Sequence, residues 1–343
     1  MPKLHHNLGK IGIVLSGGSL RGAFQVGVLK ALHEHRIVPA YVVGSSVGAI
    51  NGAAFAAGKM DLLYKTYQEI ADHPEKYVYN MSIFRVLRAL FGGPSFLSNA
   101  PLRNTVIIER LNIQDLVSSP IKLDIITTDF QTGKEVIFSN KIPEHQTTEQ
   151  LADALIASAA MPTIFPPVYY REHQLFDGGL TIKAPLTFAI KEGCDTIFML
   201  LNDPLERAPL DRLYRTIYAI GKHTITLIAR SVDKKDIARA IEVNHDIATW
   251  LELRRGLQTL LERDVPDAAS RGLLARLQEI LEHADFTFQK RRRINLHIIA
   301  PDPAANGEDE DEGIFNSRGV LDKMTLGYQT ANKFLSQMEN PAS

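Results

Sequence analysis

Between Lys10 and Gly58 the chain twice passes from a short apolar run, through a glycine-bearing turn, into a segment of helical periodicity. This repetition constrains the fold more than any other feature of the sequence. Lys10–Ser16 is rich in β-branched residues and suits a strand buried on both faces. Gly17-Gly18-Ser19 breaks it. Ala23, Val26, Leu29 and Leu32 then recur at helical spacing, which predicts a helix over Gly22–His33. Ala40–Val43 is a second short strand, and Val47–Ala57 a small-residue apolar helix stopped by Gly58. Two such units in succession point to a parallel α/β sheet, because each helix returns the chain to start the next strand alongside the first.

Further along, helical patterns fall at Asp61–Ala71, Ile83–Leu90, Leu102–Leu111 and Glu149–Ala159. Strand patterns fall at Lys122–Thr128 and Glu135–Ser139, joined through Gln-Thr-Gly, and again at Thr196–Leu201. Met161–Val168 holds too much proline to be helical throughout. Asp177-Gly178-Gly179 reads as an exposed, flexible turn. From about 206 to 290 the texture changes to Leu, Ala, Arg and Glu with few breakers. Ile294–Ala300 is one more strand, which needs a sheet to join. The expected organisation is a catalytic α/β domain over 10–204, a helical insertion over 206–290, and a last strand and helix over 294–338 that return to the first domain. The acidic run Glu308–Glu312 reads as a solvated loop.

With 343 residues, 45% hydrophobic and 22% charged, the chain can bury a sizeable core. Its net charge of −1 gives no overall field for nucleic acid or an anionic surface, so membrane contact must come from a local patch. A single cysteine, Cys194, excludes an intramolecular disulfide and fits a reducing compartment. No apolar run near the N-terminus resembles a signal peptide, and no stretch reaches membrane-spanning length. These features are read as a cytoplasmic protein, peripheral at the membrane at most.

Three glycine-bearing segments can carry chemistry. Gly44-Ser45-Ser46-Val47-Gly48 fits G-x-S-x-G, a string that composition alone would produce in roughly one chain in ten. Its place between a strand and a helix strengthens it. Glycines at Gly44 and Gly48 permit a tight turn that lifts the Ser46 hydroxyl out of the sheet, near the positive end of a helix. A serine that merely caps the helix is the plainer alternative. Gly17-Gly18-Ser19-Leu20-Arg21-Gly22 can present backbone N–H groups to an anion, either a phosphate or the oxyanion of acyl transfer. It is not G-x-G-x-x-G and no G-K-[ST] follows, which disfavours nucleotides; taken by itself the loop reads first as a plain glycine-rich turn. Arg21 suits a stiffened loop, an anionic head group or a plain surface charge. Asp177, taken alone, is an ordinary turn aspartate.

Taken together, the three segments resemble the patatin-like phospholipase family: G-G-x-x-R-G, then G-x-S-x-G, then D-G-G far downstream. Ala157–Pro167 is similar to the family's Ala-Ser-x-Ala-x-Pro-x-x-Phe-x-Pro segment, and Thr127–Gly133 to its Thr-x-x-(Thr)-Gly segment. The resemblance covers about residues 10–204, and the final strand and helix are similar to bacterial members. It implies a three-layer α/β/α fold with a mainly parallel sheet, carrying a helical insertion. It implies that Ser46 is the nucleophile and Asp177 its proton acceptor, without an intervening histidine. Gly17, Gly18, Ser19, Arg21 and Gly22 would form the oxyanion loop, Gly44 and Gly48 the nucleophile elbow, and Gly178 and Gly179 the aspartate turn. No metal or organic cofactor is implied. The substrates implied are carboxylic esters of phospholipids or lysophospholipids. The alternatives are a neutral-lipid lipase, a thioesterase of the same fold, or a lipid-binding or regulatory protein without turnover. An ordinary aspartate, with a pKa of ~3.9, is a weak base, so the oxyanion loop would supply much of the rate. One departure is visible: Lys183 stands where the family often has Asn, while Pro185 is kept.

A Ser-Asp-His triad is the competing chemistry, with His223, His245, His283 and His297 all following Asp177. The first three fall in charged helical patterns and His297 sits mid-strand, so surface and core placements are expected instead. Met81–Leu97 is basic and apolar, which suits either a flap touching lipid or a helix packed on the domain. The expected partners are a lipid substrate and a transient membrane surface, with no nucleic acid. The insertion offers a lid or a homodimer surface, or equally a helical layer with no role of its own.

Overall fold

The computed structural model describes residues 8–205, 293–302 and 319–339, together with single helical residues and short helical runs between 220 and 279. Eight strands among the described residues form one sheet: β1 (Ile11–Leu15), β2 (Tyr41–Ser45), β3 (Lys122–Asp129), β4 (Lys134–Ser139), β5 (Val168–Tyr170), β6 (His173–Asp177), β7 (Thr196–Leu200) and β8 (Asn295–Ile299). Their order is β5-β6-β3-β2-β1-β7-β8, with β4 also on β3. β1 pairs in parallel with both β2 and β7, and β2 with β3. β4, β5 and β6 form an antiparallel flank. The sheet is thus parallel at its centre and mixed at one side.

The helices are α1 (Ala23–Glu34), α2 (Val47–Ala56), α3 (Met60–Asp72), α4 (Pro74–Tyr77), α5 (Ile83–Leu90), α6 (Gln114–Ser118), α7 (Thr148–Ser158), α8 (Leu186–Lys191) and a final helix, Val320–Glu339. Alternation along the strands sorts side chains into two cores. Ile13, Leu15, Val42, Leu123 and Ile125 face one core with apolar residues of α1, α2, α3, α7 and the final helix. Gly12 faces the other way, where a Cβ would meet Cys194 and Ala189 of the α8 segment. Val14, Val43, Ile197 and Met199 share that second face by register and are buried. Helices on both faces of the sheet make three layers. The final helix lies so close to α1 that a Cβ on Gly27 would strike the Met324 carbonyl, and one on Gly327 the Phe24 carbonyl.

Most expected elements fall within two residues of their predicted ends. Leu102–Arg110 differs: it is a π-helix rather than an α-helix. β5, β6 and α8 are not legible as periodic segments. Each is short, with three, five and six residues, and too brief to show a period. The expected helical insertion over 206–290 lies largely outside the described residues, as does the acidic run Glu308–Glu312. The compact unit Lys235–Asn295 contains described helix, in which Ile237, Ala240 and Ile247 are buried. There the Asn244 side chain accepts from the Ile294 N–H and donates to its carbonyl.

Candidate active site

Register along β3 explains why residues 131 positions apart meet. β4 covers one edge of β3. Along the other edge β2 runs up to Ser45, opposite Ile126, and β6 takes over with Asp177 opposite Thr127. Two strands running in opposite directions therefore end head to head on one neighbour. Ser46, the first residue past β2, arrives beside Asp177, the last residue of β6. The Ser46 hydroxyl donates to Asp177 Oδ2 at 2.7 Å.

The turn at Ser46 is strained, with φ 56° and ψ −131°, a backbone region that costs about 1–3 kcal/mol for a residue with a Cβ. Neighbours hold it there. The Ser46 N–H donates to Ser158 Oγ at 2.9 Å, and the Ser158 hydroxyl donates to the Ile126 carbonyl at 2.6 Å. Close backbone packing leaves no room for side chains on either side: a Cβ on Gly44 would lie 2.6 Å from Ala49 N, and one on Gly48 would meet the Leu15 carbonyl. Ser46 also occupies the N-cap position of α2, at the positive end of that helix.

Asp177 does not sit on an exposed turn. It ends a strand and is 7% exposed, because β3 and α7 pack over β6. Its Oδ1 accepts from the Gly179 N–H at 2.7 Å. Gly178 permits this turn, since a Cβ there would strike the Ile126 carbonyl. Burial pushes the Asp177 carboxyl up to about 6, while the Ser46 hydroxyl, the Gly179 N–H and the positive charge of Lys183 pull it back down. The expectation of an ordinary, weakly basic aspartate is thereby corrected. A base poised near neutrality is better matched to taking a proton from serine.

The glycine loop after β1 abuts the serine: a Cβ on Gly17 would lie 3.1 Å from Ser46 Cβ. Its backbone donors are unequal. The Gly17 N–H donates to the Lys183 carbonyl at 3.0 Å and Arg21 N–H to the Gly18 carbonyl at 3.2 Å, so these two are taken. The N–H groups of Gly18 and Ser19 make no hydrogen bond among the described residues, and both residues border the cavity. Arg21 turns its guanidinium to Asp203, 3.4 Å away, and Gly22 is buried at the end of the short 3-10 turn Ser19–Gly22. Gly17 is therefore engaged in fixing the loop to the Lys183 segment.

Several residues of the site gave no signal in the sequence. Gln25 on α1 donates to the Ser16 and Leu200 carbonyls, and Asn51 on α2 donates to the Gly22 carbonyl and Gln25 Oε1. Tyr67 donates to Asn51 Oδ1. Together they fasten both ends of the loop. Only their polarity on otherwise buried helix faces hinted at a role. Lys183 is buried and pairs with Asp203 at 2.5 Å. Its positive charge acts on the Asp177 carboxyl and lowers its pKa. His297 packs on Phe198 and Phe334, and burial lowers its pKa. His245 is exposed, and His223 and His283 lie outside the described residues. Among the described residues, no histidine lines the cavity.

The cavity over Ser46 and Asp177 encloses about 160 Å³. Its walls are apolar, from Leu63 and Ile70 of α3, Val78, Val106, Met161 and Phe165, with Arg21 and Lys183 also on the lining. Such a lining suits an apolar ligand beside a polar reacting group.

An NTE family protein of Mycobacterium tuberculosis is 29% identical over 200 residues, covering 56% of this chain and 49% of that protein. Triacylglycerol lipase 5 of Saccharomyces cerevisiae is 27% identical over 214 residues, covering 59% of this chain and 27% of the lipase. Lysophospholipase NTE1 of Eremothecium gossypii is 28% identical over 206 residues, 59% of this chain and 12% of that protein. The chain thus spans about half the length of the mycobacterial relative and smaller shares of the other two. Residues 13–190, more than half of the chain, match the family model of the patatin-like phospholipases, and they hold the serine, the aspartate and the glycine loop together: the chain belongs to the patatin-like phospholipase family.

Proposed function

We propose that this protein hydrolyses carboxylic esters of phospholipids or lysophospholipids through a Ser46–Asp177 dyad. The observation that carries the reading is the 2.7 Å hydrogen bond from Ser46 Oγ to a buried carboxylate at the floor of an apolar cavity. In this mechanism Ser46 Oγ attacks the ester carbonyl carbon as Asp177 Oδ2 takes its proton. The carbonyl oxygen becomes an oxyanion facing the Gly18 and Ser19 N–H groups. A single such donor is worth about 2.7–4 kcal/mol in the transition state. The tetrahedral intermediate collapses, the C–O bond to the leaving alcohol breaks, and Asp177 returns its proton to that oxygen. Water then attacks the acyl-serine with Asp177 again as base, which releases the fatty acid and restores Ser46. The positive charge of Lys183 favours the ionised aspartate that both half-reactions need.

A fluorophosphonate probe tests the dyad. Labelling of the wild type and not of Ser46→Ala is the expected result, together with fatty acid release from phosphatidylcholine or lysophosphatidylcholine. Folded wild type that neither labels nor releases fatty acid would overturn the proposal. Release from triacylglycerol or acyl-CoA alone would keep the dyad and replace the substrate class.

A further inference from the structure

We propose that α5 and the turn after it form a docking surface for an anionic phospholipid bilayer, seated at the rim of the acyl cavity. The purpose of this surface rests on the lipid-hydrolase reading above. Its physical basis is independent of the dyad.

Ile83, Phe84, Leu87 and Phe91 are 67%, 80%, 46% and 89% exposed. At about 100° per residue these four side chains fall within one arc about 100° wide, and Met81, 66% exposed, precedes them. An eight-residue helix with so much of its surface in water has little to hold it by propensity alone. Singly exposed apolar residues need no explanation, but two phenylalanines, an isoleucine and a leucine on one face mark a contact surface.

Charge identifies the partner. Arg85 and Arg88 are both exposed on the same helix; Arg88 lies about 40° beyond the edge of the apolar arc and Arg85 about 100° beyond it. No Asp or Glu occurs between Glu75 and Glu109, although the whole chain carries a net charge of −1. A face of inserted aromatics bordered on one side by Arg88, with Arg85 on a stem long enough to reach back toward the surface, complements acyl chains beneath anionic head groups.

Position supports the same occupant. The segment leaves the domain at Asn80 and returns at Ser98, and these two residues pair in an isolated bridge. The Phe96 N–H donates to the Thr163 carbonyl and the Leu97 N–H to the Ile164 carbonyl, both at 2.9 Å. Val78, Ile164 and Phe165 line the cavity. The helix is thus hinged on the cavity wall, and a bilayer beneath it would lie next to the path of an incoming acyl chain.

The test is co-sedimentation of the full chain with vesicles of phosphatidylcholine, with and without phosphatidylglycerol. Turnover of a soluble short-chain ester and the solution mass are measured in parallel. Wild type should sediment more strongly with phosphatidylglycerol vesicles. Phe84→Ser with Phe91→Ser should weaken binding by at least about tenfold, since burying one such ring is worth more than a factor of ten. Arg85→Gln with Arg88→Gln should remove the preference for phosphatidylglycerol. Both variants should keep the soluble-ester rate. Equal sedimentation of wild type and the phenylalanine variant, or no sedimentation of wild type, would overturn the proposal. So would a wild-type dimer that the phenylalanine variant dissolves, which would make a second copy the occupant. Normal vesicle binding without ester turnover would count against the dyad and leave the docking surface standing.

Discussion

Replacing Asp177 by Asn should inactivate the protein and stabilise its fold, and the stabilisation should grow as pH rises from about 4 and be complete at neutral pH. The carboxyl is raised from 3.8 to about 6 by burial. A carboxylate whose pKa is raised on folding destabilises the native state when ionised. The native state holds the proton more tightly than the unfolded chain between those two values, so stability falls as pH rises through that window. Below about 3.8 the penalty is absent; above about 6 it is complete. At ~1.4 kcal/mol per tenfold change, the full penalty is about 3 kcal/mol. Asn removes it at almost no geometric cost. Its Oδ1 can still accept from the Gly179 N–H, and its Nδ2 can donate to Ser46 Oγ in place of the present bond. Thermal unfolding of wild type and Asp177→Asn at pH 8 and at pH 4.5 is the measurement. A gain in Tm of several degrees at pH 8 that shrinks to about a third of that at pH 4.5 is expected. Fatty acid release should fall by about 10²–10⁴, the usual contribution of a positioned base. An Asn variant no more stable than wild type at pH 8 would refute the claim that the native fold carries a buried, penalised aspartate.

Three further outcomes follow from the same geometry. The soluble-ester rate of wild type should rise with pH to a plateau, with its midpoint near the Asp177 value of about 6; Lys183→Met should move that midpoint to higher pH, because a cation that favours the ionised carboxylate is gone, and an unmoved midpoint would remove Lys183 from the account. Ser158→Ala deprives the strained Ser46 N–H of its acceptor, at a cost of about 1–3 kcal/mol, and should lower the rate of fluorophosphonate labelling while the protein stays folded. Gly178→Ala would drive a Cβ into the Ile126 carbonyl, so loss of soluble, folded protein is expected, and a well-folded, active variant would contradict the backbone packing beside Asp177.

The strands and helices around Ser46 were legible because they are local. A glycine-flanked serine between a buried strand and an apolar helix, as at Gly44–Gly48, is a short-range pattern that needs no partner to be read. The two residues of the proposed dyad could be named from the resemblance of three separated motifs, but their environment could not. Asp177 carries the ordinary marks of a turn aspartate, and only the antiparallel arrival of β6 on β3 buries it and raises its pKa. The proposed oxyanion loop shows the same division. Its glycines are plain in the sequence, whereas the commitment of the Gly17 N–H to the Lys183 carbonyl depends on a contact 166 residues away in the chain, between Gly17 and Lys183. Local composition thus determined which residue types stand at the turns and which segments could form strands and helices. The tertiary structure decided which backbone donors stay free, which carboxylate loses its water and where Lys183 points its charge. Hydrogen-bond pairing and desolvation arise from neighbours in space, and those neighbours are set by strand register.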